Sequence, residues 1–145
     1  MSGSASKPLP SWIDSLRRAF CVRSSQEPTR ATTASVELPA GTLEPPEEPV
    51  KTALRELAEE TGYRAAHIEH LTTLCMSPGI LDEVMYVYAA SGLTAGAMAL
   101  EAGEDIRVLH LTWEEALEMV RSGRIRDAKS VAALLYFNTF RRRPA

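Results

Sequence analysis

The chain has 145 residues, 45% of them hydrophobic and 24% charged, with two cysteines and a formal net charge of −3. That length and balance fit one ordinary globular domain and exclude a wholly disordered chain, a collagen-like repeat and a disulfide scaffold. No apolar run reaches the roughly 18–20 residues of a membrane-spanning helix, so no membrane association is expected. Cys21 and Cys75 match no metal or disulfide spacing, which makes a reducing, cytoplasmic setting the expectation. Net acidity argues against nucleic acid as a partner. The charge is also uneven. Residues 1–34 carry five Lys/Arg against two Asp/Glu, whereas residues 35–145 carry eleven against seventeen. The acidic part must either repel anionic ligands or recruit cations to hold them.

Residues 1–10 are small, polar and broken by proline, and read as a disordered start. Between Ser11 and Val22, the residues Trp12, Leu16, Ala19 and Phe20 share one helical stripe, which predicts a short amphipathic helix. Ser24 to Thr33 is loop-like. From Ser35 the texture changes: Ser35 to Leu38 reads as a strand stopped by Pro39 and Gly41, followed by a proline-rich acidic loop. Pro49 suits the first position of a helix, where its missing N–H costs nothing, and Gly62 suits the C-terminal cap after Thr61. Leu71–Met76 and Val84–Ala90 are predicted strands joined by the turn Ser77-Pro78-Gly79, and Gly92 to Glu104 reads as a small-residue loop. Ile106 to Leu111 alternates apolar with polar residues, as a half-buried strand does. Trp113–Ser122 and Asp127–Phe140 close the chain as helices separated by Gly123. Strands interleaved with helices imply an α/β or α+β sandwich.

The chemistry concentrates in the helix from Pro49 to Thr61. At 100° per residue, Glu56 and Glu60 fall on one face with Glu59 beside them, while Leu54, Leu57 and Ala58 turn toward a sheet. Clustered carboxylates repel one another, and Arg55 can offset part of that by pairing with Glu59 at i, i+4. A hard divalent cation would offset more, because Mg²⁺ takes carboxylate oxygens and keeps positions for water and substrate phosphates. Two adjacent glutamates alone would read as a solvated acidic face. The wider spacing is more specific: Gly41, five residues, Glu47, seven residues, then Arg55-Glu56-Leu57-x-Glu59-Glu60-x-Gly62-Tyr63.

With all nine constrained positions filled, this stretch resembles the box of the Nudix hydrolases. The resemblance implies a Nudix-type α/β/α sandwich with a mixed sheet, and hydrolysis of a nucleoside diphosphate linked to a further group. It implies Mg²⁺, with Mn²⁺ as a substitute, held by Glu56, Glu60, Glu59 and the backbone carbonyl of Ala40. Arg55 and Glu47 are then expected to orient the carboxylates. The surrounding text looks like the ADP-ribose pyrophosphatase branch: Glu37-Leu38-Pro39-Ala40-Gly41 before the box, Pro78 fifteen residues after Tyr63, Gly103-Glu104-Asp105-Ile106, and Gly123 to Ser130. On that likeness Glu104 is the expected water-activating base, with Glu101 and Asp105 as rivals. Pro78, Gly79 and Glu83 are expected at the substrate, although Glu83 also reads as a plain strand-end charge. ADP-ribose is the implied substrate and a homodimer the implied assembly. The alternatives are another nucleoside diphosphate derivative, such as a sugar nucleotide or dinucleotide, or a non-catalytic Nudix module that binds a ligand or a protein.

The likeness covers residues 35–140. Residues 1–34 read as a poorly ordered or non-family segment and 141–145 as a basic tail. No hairpin or pair of β-branched runs is visible before Gly41, so the family's N-terminal strands read as missing or replaced. His67, His70 and His110 share no ligand spacing and read as surface residues. Trp113 and Cys75 read as buried.

Overall fold

A computed structural model describes residues 18–23, 35–80 and 82–142, with only the backbone path described for 18–23. In chain order the elements are β1 (Arg18–Arg23), β2 (Ser35–Glu37), α1 (Pro49–Thr61), β3 (Tyr63–Cys75), β4 (Val84–Ala95), β5 (Ile106–Leu111), α2 (Trp113–Arg121) and α3 (Ala128–Phe140). One sheet has the order β2-β1-β5, and β3 with β4 forms a long two-stranded ribbon. Helix α1 packs on β3, and α2 packs on both β5 and α3. The architecture is α/β. Every strand pairing among the described residues is antiparallel, where a mixed sheet was expected.

Helix α1 and strand β5 have the predicted bounds. Pro49 opens α1, and Gly62 closes it in the left-handed region (φ 72°) with its N–H donating to Ala58 O at 2.9 Å. No other residue suits that site, because a Cβ there would lie 2.6 Å from Gly96 O. Helix α2 starts with a full capping box between Thr112 and Glu115, and Asp127 caps α3 by accepting from the N–H of Ser130.

The predicted helix over Ser11–Val22 is overturned where it can be compared. Residues 18–23 form β1, and residues 11–17 lie outside the described residues. A short apolar run such as Ala19-Phe20-Cys21-Val22 suits either element, and periodicity cannot decide between them. Pairing decides: β1 is hydrogen-bonded on both sides, with Val22 opposite Val36 of β2 and Cys21 opposite Val108 of β5. A strand therefore does lie N-terminal to β2, where the sequence alone offered no hairpin. Residues 1–17 and the rest of the 1–34 segment that was read as poorly ordered also lie outside the described residues, β1 excepted. The ribbon is longer than predicted as well. Strand β3 begins at Tyr63 and β4 continues to Ala95, with a register shift between His70 and Thr72 that blurs the alternation.

The main apolar core gathers Val36, Trp113, Ala116, Met119, Ile125 and Leu134, and a second cluster joins Leu71 and Val87 to Ala133 of α3. Trp113 is buried as expected, its indole N–H donating to Asn138 Oδ1 at 2.9 Å. Cys75 is exposed rather than buried, because it ends β3 at the turn. The three histidines are exposed. Arg141 and Arg142 are not simply solvated: they pair with Glu69 and Glu114 at 3.1 and 2.6 Å.

Candidate functional site

The site is assembled where the segment from Leu38 to Gly41 passes under α1. Arg55 is its hub. Its guanidinium donates to Glu47 (3.2 and 3.3 Å), Glu56 Oε1 (2.7 Å), Glu59 Oε2 (2.9 Å) and the carbonyl of Thr42 (3.3 Å). A planar fork with five donors can serve several carboxylates at once, which a lysine could not. Thr52, buried one turn earlier on α1, adds a hydroxyl donor to Glu47 Oε2 at 2.9 Å. Glu47 is thus held from two sides. Hydrogen bonding to Arg55 first, and then to Thr52, lowers its pKa below the ordinary 4.5. The carboxylates around Arg55 raise its pKa in turn, Glu47 most, with Glu59 and Glu56 adding to the rise against the effect of burial.

Glu56 behaves oppositely. Burial raises its pKa, Arg55 opposes this, and the charges of Glu59 and Glu104 add to the rise. Its carboxylate occupies the space beside Gly41, where a Cβ would fall 1.8 Å from Glu56 Oε1. The glycine is therefore required by a close approach rather than by an unusual φ. Glu60 is buried (4% exposed), and its Oε2 accepts the backbone N–H of Ala40 at 3.2 Å. Glu104 arrives from the loop after β4. That loop is tied to the end of α1 by Gly96 N–H to Gly62 O (2.7 Å) and Ala99 N–H to Glu59 O (3.0 Å). These bonds occupy carbonyls at the helix end that lack intrahelical partners. Within the loop, Glu101 N–H donates to Glu104 Oε2 at 3.0 Å.

Ala40, Arg55, Glu56, Glu59, Glu60 and Glu104 are thus brought to one end of α1. Their chemistry fits a hard divalent cation: carboxylate oxygens beside a backbone carbonyl segment, with negative charge crowded on a partly desolvated Glu56. Among the described residues, no three Asp, Glu, His or Cys side chains converge as a finished cage. Mg²⁺ does not need one, since it is commonly held by one or two carboxylates together with waters and substrate phosphates.

A cavity of about 520 Å³ opens from Gly41 and Glu56 along β4 toward α3. Glu83 lies on its wall. Pro78 and Gly79 do not; they sit exposed in the β3–β4 turn, closed by Ile80 N–H to Ser77 O at 2.9 Å. The wall also carries Asp127, Lys129 and Ser130, none of which the sequence marked as functional. Their signal was the Asp-x-x-Ser helix start, which reads as an ordinary cap until the fold sets it beside the box. Trp113, read as core, reaches the same wall.

Comparison with known proteins gives the family. The NUDIX domain family model matches residues 13–134. The chain belongs to the Nudix family. It is 45% identical over 103 residues to an ADP-ribose pyrophosphatase of Bacillus subtilis (strain 168), and equally to a methanol dehydrogenase activator of Bacillus methanolicus, covering 70% of this chain and 56% of each relative. A GDP-mannose pyrophosphatase of Escherichia coli O139:H28 is 38% identical over 107 residues, covering 72% of this chain and 56% of that one. The chain thus spans little more than half the length of these relatives. A crystal structure of an ADP compounds hydrolase superposes with a TM-score of 0.71 at 21% identity, covering 82% of this chain and 63% of the other, which establishes the Nudix-like fold. Among the described residues, no helix is long and apolar enough to cross a membrane.

Proposed function

We propose that this Nudix chain is a Mg²⁺-dependent pyrophosphatase that splits ADP-ribose into AMP and ribose 5-phosphate, with Mn²⁺ able to substitute. The observation that carries the reading is the Arg55-centred carboxylate cluster at the mouth of a cavity of about 520 Å³, within the range of small-molecule sites. Glu56, Glu60 and the Ala40 carbonyl would hold the cation, with Glu59 assisting. When bound, the cation supplies charge neutralisation of the diphosphate and makes water more acidic. Arg55 and Glu47 fix the carboxylates so that little reorganisation is left for the reaction. Glu104 takes the proton as water oxygen attacks phosphorus. The bridging P–O bond breaks, leaving AMP and ribose 5-phosphate. Glu83 contributes to holding the substrate from the cavity wall.

The GDP-mannose pyrophosphatase relatives favour a second reading, a sugar nucleotide with a different base and sugar. The deciding assay measures AMP from ADP-ribose and GMP from GDP-mannose, each with Mg²⁺, with Mn²⁺ and with EDTA. Metal-dependent AMP release is expected, with the higher kcat/KM on ADP-ribose; preference for GDP-mannose would install the second reading. A folded chain whose melting temperature rises with ADP-ribose, yet which turns over neither substrate, would be a binding module. The reading carries with it a cytoplasmic homodimer, for which light scattering should return twice the chain mass of 15.9 kDa.

A further inference from the structure

The segment that leads into the box is pinned from a helix 92 residues away. Ser130 is 1% exposed, and its hydroxyl has a partner on each side. The oxygen accepts the N–H of Leu38 at 2.8 Å, and the hydroxyl proton goes to Asp127 Oδ2 at 2.7 Å. Asp127 Oδ2 also accepts the N–H of Ser130 at 2.8 Å, and Oδ1 faces Lys129 Nζ at 3.6 Å. A hydroxyl has one proton. With that proton committed to the carboxylate, its lone pairs are left for Leu38, so the direction of the relay is fixed.

From Leu38 to Ala40 the backbone has two N–H groups, since Pro39 has none. Leu38 N–H is held by Ser130 and Ala40 N–H by Glu60. Immediately beyond, Gly41 passes against the Glu56 carboxylate with no room for a Cβ. A small displacement of this segment therefore changes both where the Ala40 carbonyl points and where Glu56 can lie. We infer that Asp127 and Ser130 are positioning residues for the cation site, acting through the Leu38 amide on the Ala40 carbonyl and the Gly41–Glu56 contact. The inference rests on the reading that this end of α1 holds a divalent cation.

Mn²⁺ binding to the full chain without substrate, followed by electron paramagnetic resonance, tests it. Ser130→Ala keeps the backbone cap on Asp127 and deletes only the hydroxyl. It should weaken Mn²⁺ binding about tenfold, the lower end of what loss of an outer-shell partner costs. Ser130→Thr, which restores the hydroxyl, should return to within about twofold. Met119→Ala, in the core of α2 away from the cavity, should lower the melting temperature without weakening Mn²⁺ binding. If Ser130→Ala does not fold, Ser130→Cys serves in its place, because a thiol is a weak acceptor of nearly the same shape. Unchanged Mn²⁺ affinity in the hydroxyl-deleted chain overturns the inference alone. Equal weakening by Met119→Ala also overturns it, since general destabilisation would then explain the loss. A wild-type chain that binds no Mn²⁺ overturns the cation reading and the inference together.

Discussion

Helices α1 and α2 have different interiors. The buried residues of α1 are Thr52, Glu60 and Thr61, whereas those of α2 are Trp113, Ala116 and Met119. The first helix is located by directed contacts: the Arg55 fork, the Thr52 hydroxyl and the Ala40–Glu60 bond. The second is located by shape and apolar burial, with Met119 and Ala116 packed beside Ile125 and Leu134. Apolar packing is non-directional and tolerant, so it supplies stability. Hydrogen bonds to charged groups are directional and exacting, so they supply position. A helix that must present carboxylates to a common point has to bury polar groups, and the cost of doing so is carried by the rest of the core. Helix α3 belongs to both regimes, burying Ser130 one turn before Ala133 and Leu134 on the same face.

Substitutions can break this contrast from either side. Glu60→Gln should have the largest effect. The amide oxygen can still accept from Ala40, so the fold should persist, but a ligand charge is gone, and turnover should fall about 1000-fold, or ~4 kcal/mol. Steady-state kinetics beside a melting curve checks this; undiminished turnover would remove Glu60 from the ligand set. Met119→Ala should do the reverse, costing about 3 kcal/mol of unfolding free energy for a buried methionine while kcat per folded molecule stays the same. Denaturant titration measures the first and active-fraction kinetics the second. Glu104→Gln should lower kcat about 100-fold, or ~2.7 kcal/mol, the scale of general-base catalysis, with metal affinity nearly unchanged. If metal affinity falls in the same proportion, Glu104 is a ligand instead.

The same contrast explains what the sequence disclosed. Helix α1 was legible to the residue, because a Pro start, a Gly stop and the box spacing all act locally. The carboxylate end of the site was legible for a related reason: Glu56, Glu59 and Glu60 sit on one short helix. Strand β1 was not legible. Arg18–Arg23 is a strand because β2 and β5 flank it, and β5, which pairs along its whole length, comes from far along the chain. The relay from Asp127 through Ser130 to Leu38 was hidden in the same way, since Asp-x-x-Ser announces a cap but not what lies across from it. The extent of the ribbon was obscured by its register shift, which breaks the alternation that a strand is read from.

The smallest expected effect lies at the start of α2, where a polar contact serves stability and not position. Glu115 Oε2 accepts the N–H of Thr112 at 2.7 Å, and the Thr112 hydroxyl accepts the N–H of Glu115 at 3.2 Å. The backbone hydrogen bond from Thr112, and then its side chain, lowers the Glu115 pKa below 4.5. A depressed carboxylate stabilises the fold above its unfolded pKa and loses that contribution as pH falls through the folded value. Gln at this position keeps the capping box but does not titrate. The melting-temperature advantage of wild type over Glu115→Gln should therefore be constant near neutrality and shrink below about pH 4.5. Turnover at neutral pH should not distinguish the two, because the box closes on itself, Thr112 against Glu115, and Gln keeps it closed. An advantage that persisted unchanged into acid would mean that the charge at the start of α2 contributes nothing.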